Sequence, residues 1–173
     1  MKACYRRMRK LLRRMQLNPH SQLTYEEGRL VYEVNGDGAS WETHIALREH
    51  GIVIASPMGI VVPPSRKPAA VTLANILNHT TPDCWEFSPA TWELRHRIGL
   101  VADPNLIHRS ILRSMIQHSL VAVSIGMTLW NDFIESDEPA SKGYERYVAL
   151  GRAVGAIETT GELELPVSEA VPS

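Results

Sequence analysis

Histidine and cysteine side chains are the residues of this chain that could bind a transition metal. The 173 residues include seven histidines and two cysteines. His44 and His96 fall on predicted strands, while His108 and His118 fall on one predicted long helix. No pair of histidines has the i, i+4 spacing of a helical zinc site, and the cysteines lack the C-x-x-C spacing of a zinc finger. The sequence therefore predicts no metal and no cofactor, and a metal site assembled only by the fold stays the alternative.

Nucleophilic catalysis and phosphate chemistry also lack a sequence signature. Cys84 stands between Asp83 and Trp85 at the start of a predicted strand, and nothing in the sequence places a base beside it. The turn glycines Gly36, Gly38 and Gly59 have neither the spacing nor the following Lys-Ser/Thr of a phosphate-binding loop. We therefore predict no catalytic residues and no enzyme activity; a small enzyme whose site is assembled in space is the alternative.

The two ends of the chain carry opposite charge. Residues 1–17 contain seven Lys/Arg and no acid, whereas residues 135–173 contain eight Asp/Glu and three Lys/Arg. Apolar residues recur at helical spacing in the first segment, which predicts an amphipathic helix. Its candidate contacts to nucleic acid or to an anionic membrane are Arg6, Arg9, Lys10, Arg13 and Arg14. The alternative is a solvated charged face on a helix whose apolar stripe packs on the domain, with the stripe formed by Cys4, Met8, Leu11, Leu12 and Met15.

Strand and turn patterns predict the sheet. Strands are expected at residues 28–34, 40–49 and 52–62, the first two joined by the hairpin signal Asn-Gly-Asp-Gly at residues 35–38 and the third interrupted near its middle. A helix at residues 65–78 precedes two further strands, at 84–87 and 92–98. The order α-β-β-β-α-β-β-α with tight turns predicts an α+β fold, a five-stranded antiparallel sheet with helices packed mainly on one face.

A long helix at residues 103–134 is expected to close the domain, with Asp103 as its cap and Pro104 in its first turn. Between Arg113 and Asp132 it contains no Lys, Arg, Asp or Glu, so it must be covered on more than one side. Residues 114–131 are too polar for confident membrane insertion. We therefore expect a homodimer or partner interface on this helix, at Val121, Ile125, Leu129 and Trp130.

The domain is predicted to span residues 1–135 and to be followed by an acidic tail, residues 136–173. Within this tail the sequence permits one short amphipathic helix over residues 143–154. From residue 158 onward, disorder is expected because the segment is acidic and has few large apolar residues.

Three local features resemble the YbjN family of proposed bacterial sensory-transduction regulators, which has a type III secretion chaperone-like fold. They are the third strand leading through Pro63-Pro64 into a helix that ends at Asn78, the hairpin from residues 85–87 to 94–97, and the long uncharged helix. The resemblance implies an interaction protein, often a homodimer, with no known cofactor and no catalytic residues. The strongly basic first helix and the acidic tail depart from the family pattern.

These observations predict a non-enzymatic, protein-binding regulator or chaperone-like protein that acts as a homodimer on an unidentified protein client. Its working surface would be the exposed sheet face and the strand edges, where an extended segment can pair. With two cysteines and no disulfide framework, a cytoplasmic location is expected. The alternative is a regulator that binds nucleic acid or an anionic membrane through its basic first helix.

Overall fold

Five strands and four helices make up the part of the chain, residues 2–14, 29–36, 39–81 and 83–155, that a computed structural model describes. The helices are α1 (Lys2–Arg14), α2 (Lys67–Thr80), α3 (Arg109–Glu135) and α4 (Ala140–Ala153). The strands are β1 (Arg29–Gly36), β2 (Ala39–Arg48), β3 (Gly51–Val61), β4 (Cys84–Phe87) and β5 (Glu93–Val101). They form one antiparallel sheet in the order β1-β2-β3-β5-β4, which confirms the predicted α+β fold class.

The hairpin and the interrupted strand have the pairing that the sequence predicts. Gly36 lies opposite Ala39 across the β1–β2 turn, whose two central residues are outside the described part of the chain. In β3 the register shifts between Pro57 and Val61, and Gly59 in this stretch has a φ of 68°. Glycine adopts this left-handed conformation without a Cβ clash, so it accommodates the bulge.

One face of the sheet packs on the helices through two groups of buried side chains. The first group joins α1 and the first half of α3 to β1, β2 and β3, with Leu12, Ile45 and Ile116 among its fully buried members. The second joins α2, the second half of α3 and α4 to β3, β4 and β5, around Trp85 and Trp130. Strand side chains alternate between the two faces of a sheet, so the residues between the buried ones point to the opposite face.

The long helix begins at Arg109 with His108 as its cap, five residues later than predicted from Asp103 as the cap. Asp103 uses its carboxylate locally instead, since Oδ1 accepts a hydrogen bond from the backbone N–H of Asn105 at 2.8 Å. His108 is the cap residue, and its Nδ1 accepts from the N–H of Ser110 at 3.3 Å. Two residues in close succession, Asp103 and His108, can cap a helix. The carboxylate of Asp103 is already used in the Asx turn, so His108 caps α3.

The second layer over α3 is α4, which the sequence places in the acidic tail. Tyr144 and Tyr147 of α4 are buried in the group around Trp130. A Cβ on Gly143 would lie 2.8 Å from Leu73 of α2 and 3.0 Å from Phe133 of α3, so α4 fits closely between these helices. The packed unit therefore continues past the predicted domain boundary at residue 135 and reaches Ala153, while the tail from residue 156 lies outside the described residues.

Three residues of the apolar stripe of α1 lie inside the domain. Met8, Leu11 and Leu12 are buried against the sheet and the first half of α3. Arg7 donates through Nη2 to the carbonyl of Pro104 at 2.9 Å, which ties α1 to the segment before α3. This packing is the alternative in which the helix is a structural part of the domain.

Candidate functional site

The face of the sheet that the helices leave uncovered carries a shallow depression of about 1100 Å³. It crosses β2, β3 and β5, the three central strands. Small or compact side chains form its floor, namely Ala46, Val53, Ala55 and Pro57. Larger polar side chains surround them, namely His44, Arg48, Glu93, Arg95 and Arg97. This surface is both concave and lined by functional groups of several strands.

The charges around this depression favour an anion. Three arginines face a single acid, Glu93, whose Oε1 already accepts a hydrogen bond from the N–H of Gly59 at 3.2 Å. Arg97 pairs with Glu86, with 3.4 Å between Nε and Oε2. The Nε–H of Arg95 is buried and has no hydrogen-bond acceptor in the described residues. The lining therefore has more positive than negative side chains, which favours a bound carboxylate.

The outer edge of β4 is not open to another strand. The side chain of Asn78, in the last turns of α2, donates from Nδ2 to the carbonyl of Trp85 at 3.0 Å. Its Oδ1 accepts from the N–H of Trp85 at 2.6 Å, so both outward backbone groups of this residue are occupied. Strand addition, one of the two modes expected from the sequence, is therefore blocked at Trp85.

A second polar site lies on the helix side of the sheet, where Asp83, His96 and His118 meet. Oδ1 of Asp83 is 2.8 Å from Nε2 of His96 and 2.7 Å from Nε2 of His118. The Asp83 and His96 side chains are buried, whereas that of His118 is 40% exposed. The fold thus brings together three residues from the α2–β4 connection, β5 and α3.

The carboxylate of this cluster is held in its charged form. Burial alone would raise the pKa of Asp83, but the hydrogen bonds from His118 and His96 and the electrostatic attraction of the two rings outweigh burial and hold the pKa well below its ordinary value. The hydrogen bond to Asp83 raises the pKa of His118, against the opposing effect of partial burial. Oδ2 of Asp83 is buried without a hydrogen-bond partner in the described residues.

Ser119 extends the cluster, since its Oγ lies 3.4 Å from Nδ1 of His96. The hydroxyl, imidazole and carboxylate groups occur in the order found at serine nucleophiles. However, Ser119 and His96 are 1% and 0% exposed, so no substrate reaches the hydroxyl. The cluster is a structural network in this conformation, and within the described residues no group of three or more His, Cys, Asp or Glu is arranged to hold a metal ion.

Of the residues in this cluster, the sequence pattern indicates only that His96 is in an unusual position. His96 lies on the apolar side of its strand, between Leu94 and Ile98, and a polar residue in that position needs a buried partner. The partner Asp83 is 13 residues away and His118 is 35 residues from Asp83, so no local spacing connects them. His44 lies elsewhere, on the open face, where it is 3.3 Å from Glu42.

The four residues of the predicted interface have different environments. Val121 is 39% exposed, whereas Ile125 is 6% and Leu129 and Trp130 are 0% exposed. The Trp130 ring packs against three aromatic rings, those of Trp85, Phe87 and Phe133, at centroid distances of 6.2, 5.9 and 5.8 Å. The homodimer or partner interface stays a prediction. The surface of α3 available for it is limited to Val121 and its exposed neighbours, because the side chains of the other three residues lie in the core of one chain.

The candidate contacts to an anionic partner lie on the outer side of α1. Arg6, Lys10, Arg13 and Arg14 are exposed, and Arg9 is partly buried. A membrane role would require the apolar stripe to insert, but Met8, Leu11 and Leu12 are already buried in the domain. Among the described helices, none has both the length and the apolar character needed to cross a bilayer.

Comparison with protein-family models and with curated proteins finds no match for this chain. Among solved structures, the chain is similar to the crystal structure of YbjN, a proposed transcription regulator from E. coli. The two are 14% identical, the similarity covers 69% of this chain and 88% of the other, and the TM-score is 0.42. This is a distant likeness, so the chain's own side chains must carry any functional conclusion.

Proposed function

We propose that this protein is a non-catalytic, cytoplasmic regulator that binds an extended acidic polypeptide segment on the open face of its sheet. The observation that carries the proposal is the depression itself, whose lining includes three arginines and one glutamate. A carboxylate is the natural partner of a guanidinium because two parallel hydrogen bonds can form between them.

The spacing of the arginines favours an extended segment. Arg95 and Arg97 are two residues apart on β5 and share one face, so their backbones are roughly 6.6 Å apart. An extended peptide has the same repeat, so acids at alternate positions would face the two arginines together. The compact side chains Ala46, Val53 and Ala55 leave room for a backbone above the neighbouring strands.

Reversing the charge of Arg95 should weaken the binding of such a peptide about tenfold or more, because a charge-assisted hydrogen bond contributes about 1.5–3 kcal/mol. The probe is a fluorescent synthetic peptide of alternating glutamate and leucine, measured by anisotropy with wild type and Arg95→Glu. A matching glutamine-leucine peptide shows whether carboxylates are needed, and higher salt should weaken the binding.

Arg109→Glu is the matched control for this experiment. Arg109 is an exposed arginine at the start of α3, on the helix side of the sheet. Its substitution by glutamate should therefore leave peptide binding unchanged. Equal losses in the two variants would refute the site on the open face. If the protein bound a labelled DNA duplex and not the acidic peptide, the exposed cations of α1 would become the favoured surface.

We also propose a homodimer formed through the outer side of α3. Exposed residues recur there at alternating spacings of three and four, and all are uncharged: Ser110, Ser114, Gln117, Val121, Ser124, Thr128 and Asn131. Two copies of such a stripe can pack against each other without like-charge repulsion. A second copy is therefore the occupant that we assign to this surface.

Val121→Asp should convert the dimer to a monomer while the fold is kept, because the substitution places a charge in the pair of stripes but not in the core. The mass is measured by light scattering and the fold by circular dichroism. Val71→Asp is the control, since Val71 on α2 is 38% exposed, close to the 39% of Val121. A Val121→Asp protein that is as dimeric as Val71→Asp would contradict the interface.

A further inference from the structure

We propose that Asp83, His96 and His118 form a proton-dependent clasp that holds α3 against the β4–β5 side of the sheet and loosens when His118 loses its proton. The inference goes beyond the binding function and does not depend on it. Oδ1 of Asp83 lies within hydrogen-bond distance of both imidazoles, so a single atom joins the α2–β4 connection, β5 and α3. Loss of either contact would separate elements that are distant in sequence.

The hydrogen bonds assign different roles to the two histidines. Nδ1 of His96 faces the hydroxyl of Ser119 at 3.4 Å, and its Nε2 faces the carboxylate at 2.8 Å. A neutral imidazole satisfies both contacts by accepting from the hydroxyl and donating to the carboxylate. His118 is the residue that changes charge, because its ring is 40% exposed and can exchange protons with water.

His118 is the solvent-accessible histidine that can balance the negative charge of Asp83. The pKa of Asp83 is affected by the two histidines, and the pKa of His118 by Asp83, with no other charged side chain of the described residues contributing to either shift. From α4, Tyr147 faces Asp83, and burial together with this negative charge raises the pKa of the phenol, which keeps it neutral. Deprotonation of His118 would therefore remove the solvent-accessible cation from the buried carboxylate, which would keep its hydrogen bond to His96.

The direction of the pH effect follows from these shifts. The pKa of His118 is raised above 6.5, so its contribution to stability is complete below pH 6.5 and is lost as the pH rises through the raised pKa. The pKa of Asp83 is lowered below 3.8, so its contribution is present above pH 3.8 and is lost only as the pH falls through the lowered pKa. The clasp is tightest between these two values and loosens on the alkaline side.

The test follows the full chain between pH 6 and pH 9. Histidine side-chain NMR should show one imidazole that titrates above 6.5 and whose signal is missing in His118→Gln. Thermal unfolding should show that wild type loses roughly 2–4 °C more in Tm over this range than His118→Gln, which keeps a hydrogen-bond donor but cannot titrate. His79→Gln, which removes an exposed histidine near the end of α2, should behave as wild type does.

The same pH dependence of Tm in wild type and His118→Gln would overturn the proposal. So would a His118 resonance that titrates at or below 6.5 in the wild-type protein. The NMR titration needs only wild type once its signals are assigned through the sequential backbone, so it decides the matter even if His118→Gln does not fold. Peptide binding is not among these readouts, which keeps this test separate from that of the open face.

Discussion

Asp83→Ala should lower the free energy of unfolding by about 3–5 kcal/mol, the range expected when one partner of a buried ion pair is removed. The substitution leaves the Nε2–H of His96 buried without an acceptor and deprives His118 of its counter-charge. It also removes the carboxylate oxygen that His96 of β5 and His118 of α3 share. Urea unfolding followed by circular dichroism at pH 6 measures the change.

Two further variants make this result specific to the cluster. Asp83→Asn keeps one oxygen acceptor and removes the charge, so it should cost less than Asp83→Ala. Asp137→Ala removes an exposed carboxylate between α3 and α4 and should change stability by no more than about 0.5 kcal/mol. If Asp83→Ala were as stable as Asp137→Ala, the cluster would contribute nothing to the fold and the clasp would lose its basis.

Gly126→Val should lower the free energy of unfolding by about 3 kcal/mol, near the upper end of the usual range for overpacking. At Gly126 the backbone of α3 lies close against the Trp85 ring of β4. A Cβ there would clash with Cη2 of the Trp85 ring and lie 2.8 Å from Cζ3 and 3.3 Å from Cε of Met58. The ring cannot easily move away because Trp130 and Tyr147 pack against it, at centroid distances of 6.2 and 6.5 Å.

Arg113→Val is the control for the helix propensity of valine, because Arg113 is exposed on the same helix and lies outside the proposed dimer stripe. We expect it to cost less than 1 kcal/mol in the same urea experiment. The difference between the two variants then isolates the contact with Trp85. A Gly126→Val protein within 0.5 kcal/mol of Arg113→Val, taken as roughly the limit of additivity for such measurements, would mean that the helix can shift away from the sheet.

The sheet could be predicted closely because its signals are local. Alternation of apolar and polar residues in β2 and β5, the hairpin signal before Ala39 and the bulge near Gly59 each lie within one or two neighbouring elements. The exact start of α3 could not be predicted from the sequence, because the side chains of Asp103 and His108 can both cap the first turn of a helix. Tertiary contacts, including the hydrogen bond from Arg7 to Pro104, accompany the later start.

The apolar character of α3 by itself determined that the helix must be covered on several sides, because exposed apolar surface is unfavourable in water. It did not determine what covers it. Only the tertiary structure decided that α4 fills this place and that Leu129 and Trp130 face their own chain. In the same way, sequence alone marked His96 as a polar residue on an apolar strand face, and the fold supplied Asp83 and His118. Side-chain type sets what a residue needs, whereas contacts between residues far apart in the chain depend on how all the elements pack together.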